Sequence, residues 1–491
     1  MLVTCHQMQE IENEAFDQGV RSEVLMEEAG CGIAREIQRF FPHPGTVVAY
    51  LGTGNNAGDA LVAARELEQA GWTVMLRPSH SPEKFKTLPL QHWHRLARAQ
   101  VLQEPLNTTE FHQRPIIQLD GLVGIGMTGR LRPELQKLAS EMNHLRREAS
   151  CWTVAMDIPS GLDGDTGEPS ADTVVADLTV TIGFPKVGLV ADAATAFVGR
   201  LAWLPLKDLG VENACGRTLL SPQILRRFLP RRSFDFHKGQ AGRVGILAGS
   251  PGLLGAAELV CEGALRAGAG LVTLFTKEST YSLLAARVRP EIMVRKVRDY
   301  REVLDLSFDA LGIGPGLGFE AEEEVLHVLR YAAVPSVLDA DALTMMARSA
   351  APVLLSASAP RLLTPHPGEM KRLAIDSENH PRVMQAEGWA MAHPGHTLLL
   401  KGSRTVIATD GKGTFFNTTG HPGMATGGMG DVLTGVCAAL VGQKMALHEA
   451  AGLAAWACGR AAELAAIASS QLSALPGDVV MNLGQAFHEL E

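Results

Sequence analysis

A short apolar run that stops at a loop of glycines or carboxylates, followed by a helical stretch, recurs along this chain, and few folds accommodate that pattern. Thr46-Val-Val-Ala-Tyr-Leu51 enters Gly52-Thr-Gly-Asn-Asn-Ala-Gly-Asp59 and then the helical Ala60–Leu67, and Trp72–Leu76 supplies the next strand. Such a strand, loop, helix, strand unit of about 30 residues builds parallel sheets. The run Pro115–Leu119 stops at Asp120 ahead of a glycine-rich loop ending at Gly129, and Thr153–Met156 stops at Asp157 ahead of a loop ending at Gly167. Parallel strands align their carboxyl ends, where open α/β sheets bind ligands, so Asn55, Asn56, Asp59, Asp120, Asp157 and Ser160 are expected on one rim. The turn Phe184-Pro-Lys-Val-Gly188 either carries Lys186 to that rim or leaves it as a surface lysine. Asp163-x-Asp165-x-Gly167 lacks the third acid and spaced Glu of a calcium loop. A monovalent cation held by Asn56, Asp120 and backbone carbonyls is expected instead.

The second half repeats the scheme. Strands are expected at Gly242–Ala248 and Leu271–Thr276, with a helix at Ala256–Ala267 between them. Ser336–Leu338 then stops at Asp339-Ala-Asp341, Arg361–Leu363 at Thr364-Pro-His-Pro-Gly-Glu369, and Thr397–Leu400 at Lys401-Gly-Ser-Arg-Thr405. A second doubly wound sheet follows, and the absence of Gly-x-x-x-x-Gly-Lys-Ser/Thr argues against a P-loop NTPase. Gly423-Met-Ala-Thr-Gly-Gly-Met-Gly-Asp-Val-Leu-Thr-Gly435 reads as a phosphate site, in which bare backbone approaches an anion at the start of a buried helix. Asp431 is placed to orient a substrate hydroxyl beside a phosphoryl group. The positive end of that helix is expected to lower its basicity.

At 491 residues the chain exceeds one ordinary core, and the Pro-, Gly- and Arg-bearing segment from Leu204 to Arg232 sets the join near residues 213–220. The expected domains are residues 1–212 and 221–491. A net charge of −9 argues against a nucleic-acid or polybasic membrane surface. Seven scattered cysteines without a Cys-x-x-Cys pair fit a reduced, cytoplasmic setting. The first ten residues lack the pattern of a secretory leader, and Arg460 and Glu463 interrupt the Ala-rich run 450–468, which is expected to be a packed helix.

Three of these motifs, Gly52-x-Gly-Asn-Asn-x-Gly-Asp59, the Asp120 loop and Met156-Asp-Ile-Pro-Ser-Gly-Leu162, together resemble the NAD(P)H-hydrate epimerase family over nearly all of the first half. The resemblance implies a Rossmann-like three-layer sandwich. It also implies hydrate contacts at Asn55, Asn56, Ala57, Gly58, Asp59, Gly124, Ile125, Gly126, Met127, Thr128, Gly129, Arg130 and Asp157, and potassium at Asn56, Asp120 and Ser160. The family usually has Gly at the positions of Ala57 and Ala60. Asp157 is the acid/base candidate.

In the second half, His237-Lys-Gly239, Gly249-Ser250, Gly314-Pro-Gly-Leu-Gly318, Leu338-Asp-Ala-Asp-Ala-Leu343, Thr364-Pro-His-Pro-Gly-Glu369, Lys401-Gly402 and Gly427-Gly-Met-Gly-Asp431 resemble the ADP- or ATP-dependent NAD(P)H-hydrate dehydratases of the ribokinase-like fold. By that resemblance Lys401, Gly402, Ser403, Arg404, Thr405 and Gly430 hold the adenine nucleotide. Ala256, Gly316, His366 and Asp431 face the hydrate, and Mg2+ lies near Glu369. The implied partners are NADH hydrate, NADPH hydrate and ADP or ATP, and a homo-oligomer is expected. Two rival readings are a vitamin or sugar kinase of the same fold and a non-catalytic first half that only binds.

Overall fold

The computed structural model describes residues 1–96, 98–107, 115–126, 129–209, 216–229, 231–349, 353–374 and 379–491. It divides into two compact units, Met1–Ala214 and Cys215–Glu491.

In the first unit β1 (Thr46–Leu51), β2 (Thr73–Pro78), β3 (Gln100–Val101), β4 (Ile116–Gly121), β5 (Trp152–Met156), β6 (Leu178–Ile182) and β7 (Arg200–Leu204) form a sheet of order β3-β2-β1-β4-β5-β6-β7, parallel throughout. Strand geometry sends alternate side chains to opposite faces. Val47, Ala49 and Leu51 accordingly pack with helices Ser22–Phe40 and Asn55–Gln69, whereas Val48 and Tyr50 pack with helix Pro133–Glu148. The chain winds one way from β1 and the other way from β4, so these neighbours flank the switch point at which such sheets open a crevice. A Cβ on Gly52 would lie 2.0 Å from the Leu122 carbonyl, so the loops leaving β1 and β4 touch there.

The second unit holds β8 (Thr218–Leu219), β9 (Arg243–Leu247), β10 (Leu271–Thr276), β11 (Ile292–Lys296), β12 (Ala310–Ile313), β13 (Ser336–Leu338), β14 (Arg361–Leu363), β15 (Thr397–Leu400), β16 (Thr405–Thr409) and β17 (Phe415–Asn417). Their order is β11-β10-β9-β12-β13-β14-β15-β16-β17-β8, parallel from β11 to β15 and antiparallel across β15-β16-β17. Its switch point lies between β9 and β12. There Gly249 N–H donates to the Pro315 carbonyl at 3.0 Å. Helices Leu254–Arg266, Met429–Gly442, Leu447–Ala468 and Pro476–His488 bury their apolar faces in one core with β9 and β10. The Ala-rich run is thus a packed helix, and among the described residues no helix is long and apolar enough to cross a membrane.

Two boundaries differ from the sequence-based expectation. The helix after β1 begins at Asn55, so Asn55 to Asp59 form its first turn and not a loop; Asp120 lies within β4 and not beyond it.

Candidate active sites

At the first switch point, Asp120 is fully buried. Its carboxylate accepts Ser160 N–H at 2.7 Å, Ser160 Oγ at 2.6 Å and Leu122 N–H at 3.3 Å. Burial pushes its pKa up to about 6 against the help of those donors, because desolvation penalises the charged form. Asn56 Nδ2 donates to the Asp120 carbonyl at 3.4 Å, and Ser160 Oγ lies 3.2 Å from the Val123 carbonyl. The structure therefore brings Asn56, Asp120 and Ser160 together.

Asp157 follows β5 with φ of +65°, an unusual backbone for a non-glycine residue. Oδ1 accepts the Lys186 ammonium, Thr181 Oγ1 at 3.3 Å and Ile182 N–H at 3.1 Å. Oδ2 accepts no hydrogen bond among the described residues. Lys186 is only 1% exposed and also donates to the Ile182 carbonyl at 2.9 Å. It is a buried partner of Asp157 and not a surface charge. Asp59 is held well above the ordinary carboxylate range by burial, then by Asp157 and Glu12. Burial likewise raises Glu12, which Lys186 opposes and Asp157 reinforces.

Glu12, on the helix Cys5–Asp17, escaped the sequence reading. Positions 5, 8, 12 and 15 share one face by helical spacing, and the Val3–Lys186 bridge ties the start of that helix to the site. Ala57 and Ala60 are fully buried in the core, and a Cβ on Gly121 at the end of β4 would lie 2.7 Å from the Ala60 methyl. Gly58 packs against Met26: a Cβ there would lie 2.4 Å from Sδ. Asn55, Gly129 and Arg130 are exposed, while Gly124 and Ile125 are half-buried and Gly126 is exposed in the turn after β4. Met127 and Thr128 lie outside the described residues. Asp163 closes its own turn by accepting the N–H groups of Asp165 and Thr166.

In the second unit the ends of β13, β14 and β15 converge on the helix Met429–Gly442. Gly428 caps that helix in the left-handed conformation, φ +97°, which glycine adopts without a Cβ penalty. Asp339 is 1% exposed. Its Oδ1 accepts Lys401 Nζ at 2.6 Å and Ala340 N–H at 2.9 Å, and its Oδ2 accepts Thr434 Oγ1 at 2.7 Å. Burial works against a charged Lys401, but Asp339, Glu369 and Asp431 together outweigh it and hold its pKa above the usual lysine value. A Cβ on Gly430 would stand 3.2 Å from Lys401 Nζ and 3.4 Å from Asp339 Oδ2. The glycine leaves this ion pair open to the phosphate loop.

Asp431 occupies the first turn of the helix, yet its pKa is raised to about 6, contrary to the expected depression. Burial is the leading cause and Asp339 the next. Lys401 opposes them, and Asp341 adds to the rise. Desolvation and two neighbouring carboxylates outweigh the helix end, whose field is worth roughly 0.3–1 kcal/mol at an exposed site.

His366 N-caps helix Pro367–Leu373. Its Nδ1 accepts Gly368 N–H at 3.0 Å, and its side chain is half exposed at the end of β14. Glu369 accepts His366 N–H at 2.8 Å and lies 3.8 Å from Lys401 Nζ. Gly316, with φ of +61°, faces Ala256 across the switch point: a Cβ there would lie 3.0 Å from the Ala256 methyl. Gly402 and Ser403 are exposed, Arg404 is buried, and Thr405 Oγ1 donates to the Gly402 carbonyl at 2.9 Å. Arg382, which sequence reasoning missed, donates to the carbonyls of Leu400, Lys401 and Arg404 at 2.7–3.1 Å and so fixes this loop. No motif marks it, because its partners are backbone atoms brought near by the β15–β16 turn.

A family model described as NAD(P)H-hydrate dehydratase matches residues 244–482, and one described as the N-terminus of YjeF-related proteins matches residues 22–188. The chain is 35% identical to the bifunctional NAD(P)H-hydrate repair enzyme Nnr of Moorella thermoacetica, over 100% of this chain and 97% of the relative. It is 31% identical to the enzyme of that name from Coxiella burnetii, over 97% of each. A solved structure of the ADP/ATP-dependent NAD(P)H-hydrate dehydratase of Bacillus subtilis, co-crystallised with ATP and Mg2+, matches with a TM-score of 0.50 and 30% identity, covering 57% of this chain and 100% of that one. With both halves matched in order along one chain, this protein belongs to the family of bifunctional NAD(P)H-hydrate repair enzymes.

Proposed function

We propose that the chain repairs hydrated nicotinamide dinucleotides. The first unit interconverts the two epimers of NADH or NADPH hydrate, and the second dehydrates one of them at the expense of ADP or ATP. The observation that carries this reading is the placement of Asp431, with its pKa raised to about 6, on the glycine-capped helix beside the Lys401–Asp339 pair.

Hydroxide leaves carbon 6 of the hydrate poorly near neutral pH. Asp431 aligns the carbon-6 hydroxyl and takes its proton as the oxygen attacks the terminal phosphoryl group. The bond from that phosphorus to the nucleotide breaks, and AMP or ADP departs. Electrons of the ring nitrogen then expel phosphate from carbon 6, and loss of a proton from carbon 5 restores the reduced ring. The N–H groups following Gly428 stabilise charge on the phosphoryl oxygens. Lys401 to Thr405 and Gly430 line the nucleotide side, and Ala256, Gly316 and His366 the hydrate side.

In the first unit, Asp157 presents an Oδ2 that accepts no hydrogen bond among the described residues, while Lys186 fixes its other oxygen. Epimerisation by loss and re-addition of water at carbon 6 needs a group that gives a proton and takes one back. Asn55 to Asp59, Gly124 to Gly126, Gly129 and Arg130 contact the dinucleotide.

A potassium ion fits the oxygens of Asn56, Asp120 and Ser160. The buried Asp120 carboxylate has hydroxyl and N–H donors but no cationic partner among the described residues. Bound there, potassium supplies positive charge beside an anionic substrate. Glu369 fits magnesium poorly: its carboxylate is turned toward His366 N–H and the Lys401 ammonium, and no cluster of three His, Cys, Asp or Glu side chains suited to a metal occurs among the described residues. Magnesium is therefore assigned to the phosphates of the nucleotide, as is usual for this ion.

Incubation of the full chain with mixed hydrate epimers and ADP, or ATP, tests the reading. Regenerated NADH and free phosphate are expected. A stable phosphorylated product would establish the rival kinase reading.

A further inference from the structure

Asp339 belongs to neither the nucleotide-side nor the hydrate-side set, yet its carboxylate joins elements that carry residues of both. It closes β13 and caps helix Ala340–Arg348, and its two oxygens reach two other elements: Lys401 at the end of β15 and Thr434 on the helix that carries Gly430 and Asp431. Thr434 lies one turn beyond Gly430 and is fully buried. The Asp339 carbonyl is pressed against Gly314, where a Cβ would lie 1.8 Å away, so the backbone of Asp339 also abuts the glycine-rich loop after β12. Three polar partners on one 1%-exposed carboxylate cannot shift separately.

We propose that Asp339 is the positioning residue of phosphoryl transfer: one oxygen holds the Lys401 ammonium beneath Gly430, the other holds the helix that presents Asp431, and the distance between cation and base is thereby set. This inference rests on the dehydratase reading of the second unit.

Lys401 is accordingly a clamped charge beside the transferred phosphoryl group, and the loop that follows it supplies the nucleotide contacts. The same arrangement fixes the protonation of the base. The charged groups acting on Asp431 are Asp339 and Asp341, which favour its protonated form, and Lys401, which favours the ionised form; Glu369 acts on Lys401 from the far side. Removing the Asp339 charge must therefore move the Asp431 titration down, and removing the Lys401 charge must move it up. A purely structural role for Asp339 predicts neither shift.

The test is dehydration of the S epimer by the full-length protein, followed as kcat and KM across pH. Asp339→Asn is expected to lower kcat on the order of a hundredfold, the cost of roughly 1 Å of misplacement, with a much smaller change in KM for ADP. Its acid limb is expected to move below the wild-type position near pH 6 by on the order of one unit. Lys401→Met is expected to move the limb the other way. Thermal unfolding of the second unit, followed beside ADP binding, reports whether each preparation is sound. If Asp339→Asn fails to accumulate, the double variant Asp339→Asn/Lys401→Met removes both charges together. Because Asp339 acts on Asp431 more strongly than Lys401 does, an acid limb in the double variant lying below that of Lys401→Met supports the inference, and one coinciding with that of Lys401→Met overturns it. Wild-type kcat and an unmoved limb in Asp339→Asn also overturn it. Failure of the unaltered protein to regenerate NADH would instead remove the dehydratase reading itself.

Discussion

Asp431 shows how a single residue's neighbours reverse a local rule. A carboxylate in the first turn of a helix ordinarily titrates low, but here burial and Asp339 raise it to about 6. The dehydratase is expected to lose activity as pH falls through about 6, because the base becomes protonated. Asp431→Asn is expected to lower dehydration by about 10²- to 10⁴-fold while hydrate binding, measured by calorimetry, persists. A raised folded-state value also means that the protonated form favours folding. That stability is fully present below the unfolded value of 3.8 and is lost as pH rises through about 6, so Asp431→Asn is expected to raise the melting temperature at neutral pH and to gain nothing below pH 3.8. The glycines around Asp431 mark it as a candidate in the sequence. They do not show Asp339 nearby, since that neighbour stands 92 positions earlier and meets it only once the sheet forms. Lys186 is a parallel case. In sequence it reads equally as rim or surface; in the structure its ammonium is buried against Asp157. Lys186→Met is expected to destabilise the first unit by about 3–5 kcal/mol, because it strands a buried carboxylate. Lys186→Met/Asp157→Asn is expected to recover much of that loss in chemical denaturation without recovering epimerisation.

Among the elements, strands with buried apolar interiors were legible to within a residue or two: β10, β13, β14 and β15 lie where the apolar runs place them. Helix starts were less so. Asn55-Asn-Ala-Gly-Asp59 reads as loop because Asn, Gly and Asp favour turns, but Ala57 and Ala60 dock in the core and draw the first turn into helix. Both alanines where the family usually has glycine are fully buried members of that core. The loop 401–405 is held by Arg382 from helix Arg382–Ala392, whose guanidinium takes three carbonyls. Arg382→Ala is expected to raise KM for ADP with little change in kcat, because it frees the nucleotide side without touching Asp431; steady-state kinetics separate the two.

For the whole molecule, two sheets with separate cores were readable from the repeated strand-and-loop scheme, and the break between units falls at residues 214 and 215. Each switch point lies inside its own unit, so damage to one site is expected to spare the other. With a mixture of epimers and excess ADP, Asp157→Asn is expected to convert the S epimer at the wild-type rate and then stall at the slow spontaneous interconversion of the remainder. Added wild-type first-unit activity is expected to restart the reaction, with NADH formation as the readout.

The separateness of the two cores has an evolutionary side. Translation delivers one isomerase for every dehydratase, whatever the level of expression, so neither stereoisomer of a damaged cofactor can accumulate merely because a partner gene is silent. Because each of these cores, among the described residues, is built from its own unit's side chains, mutations can tune either catalyst while this fixed dosage persists.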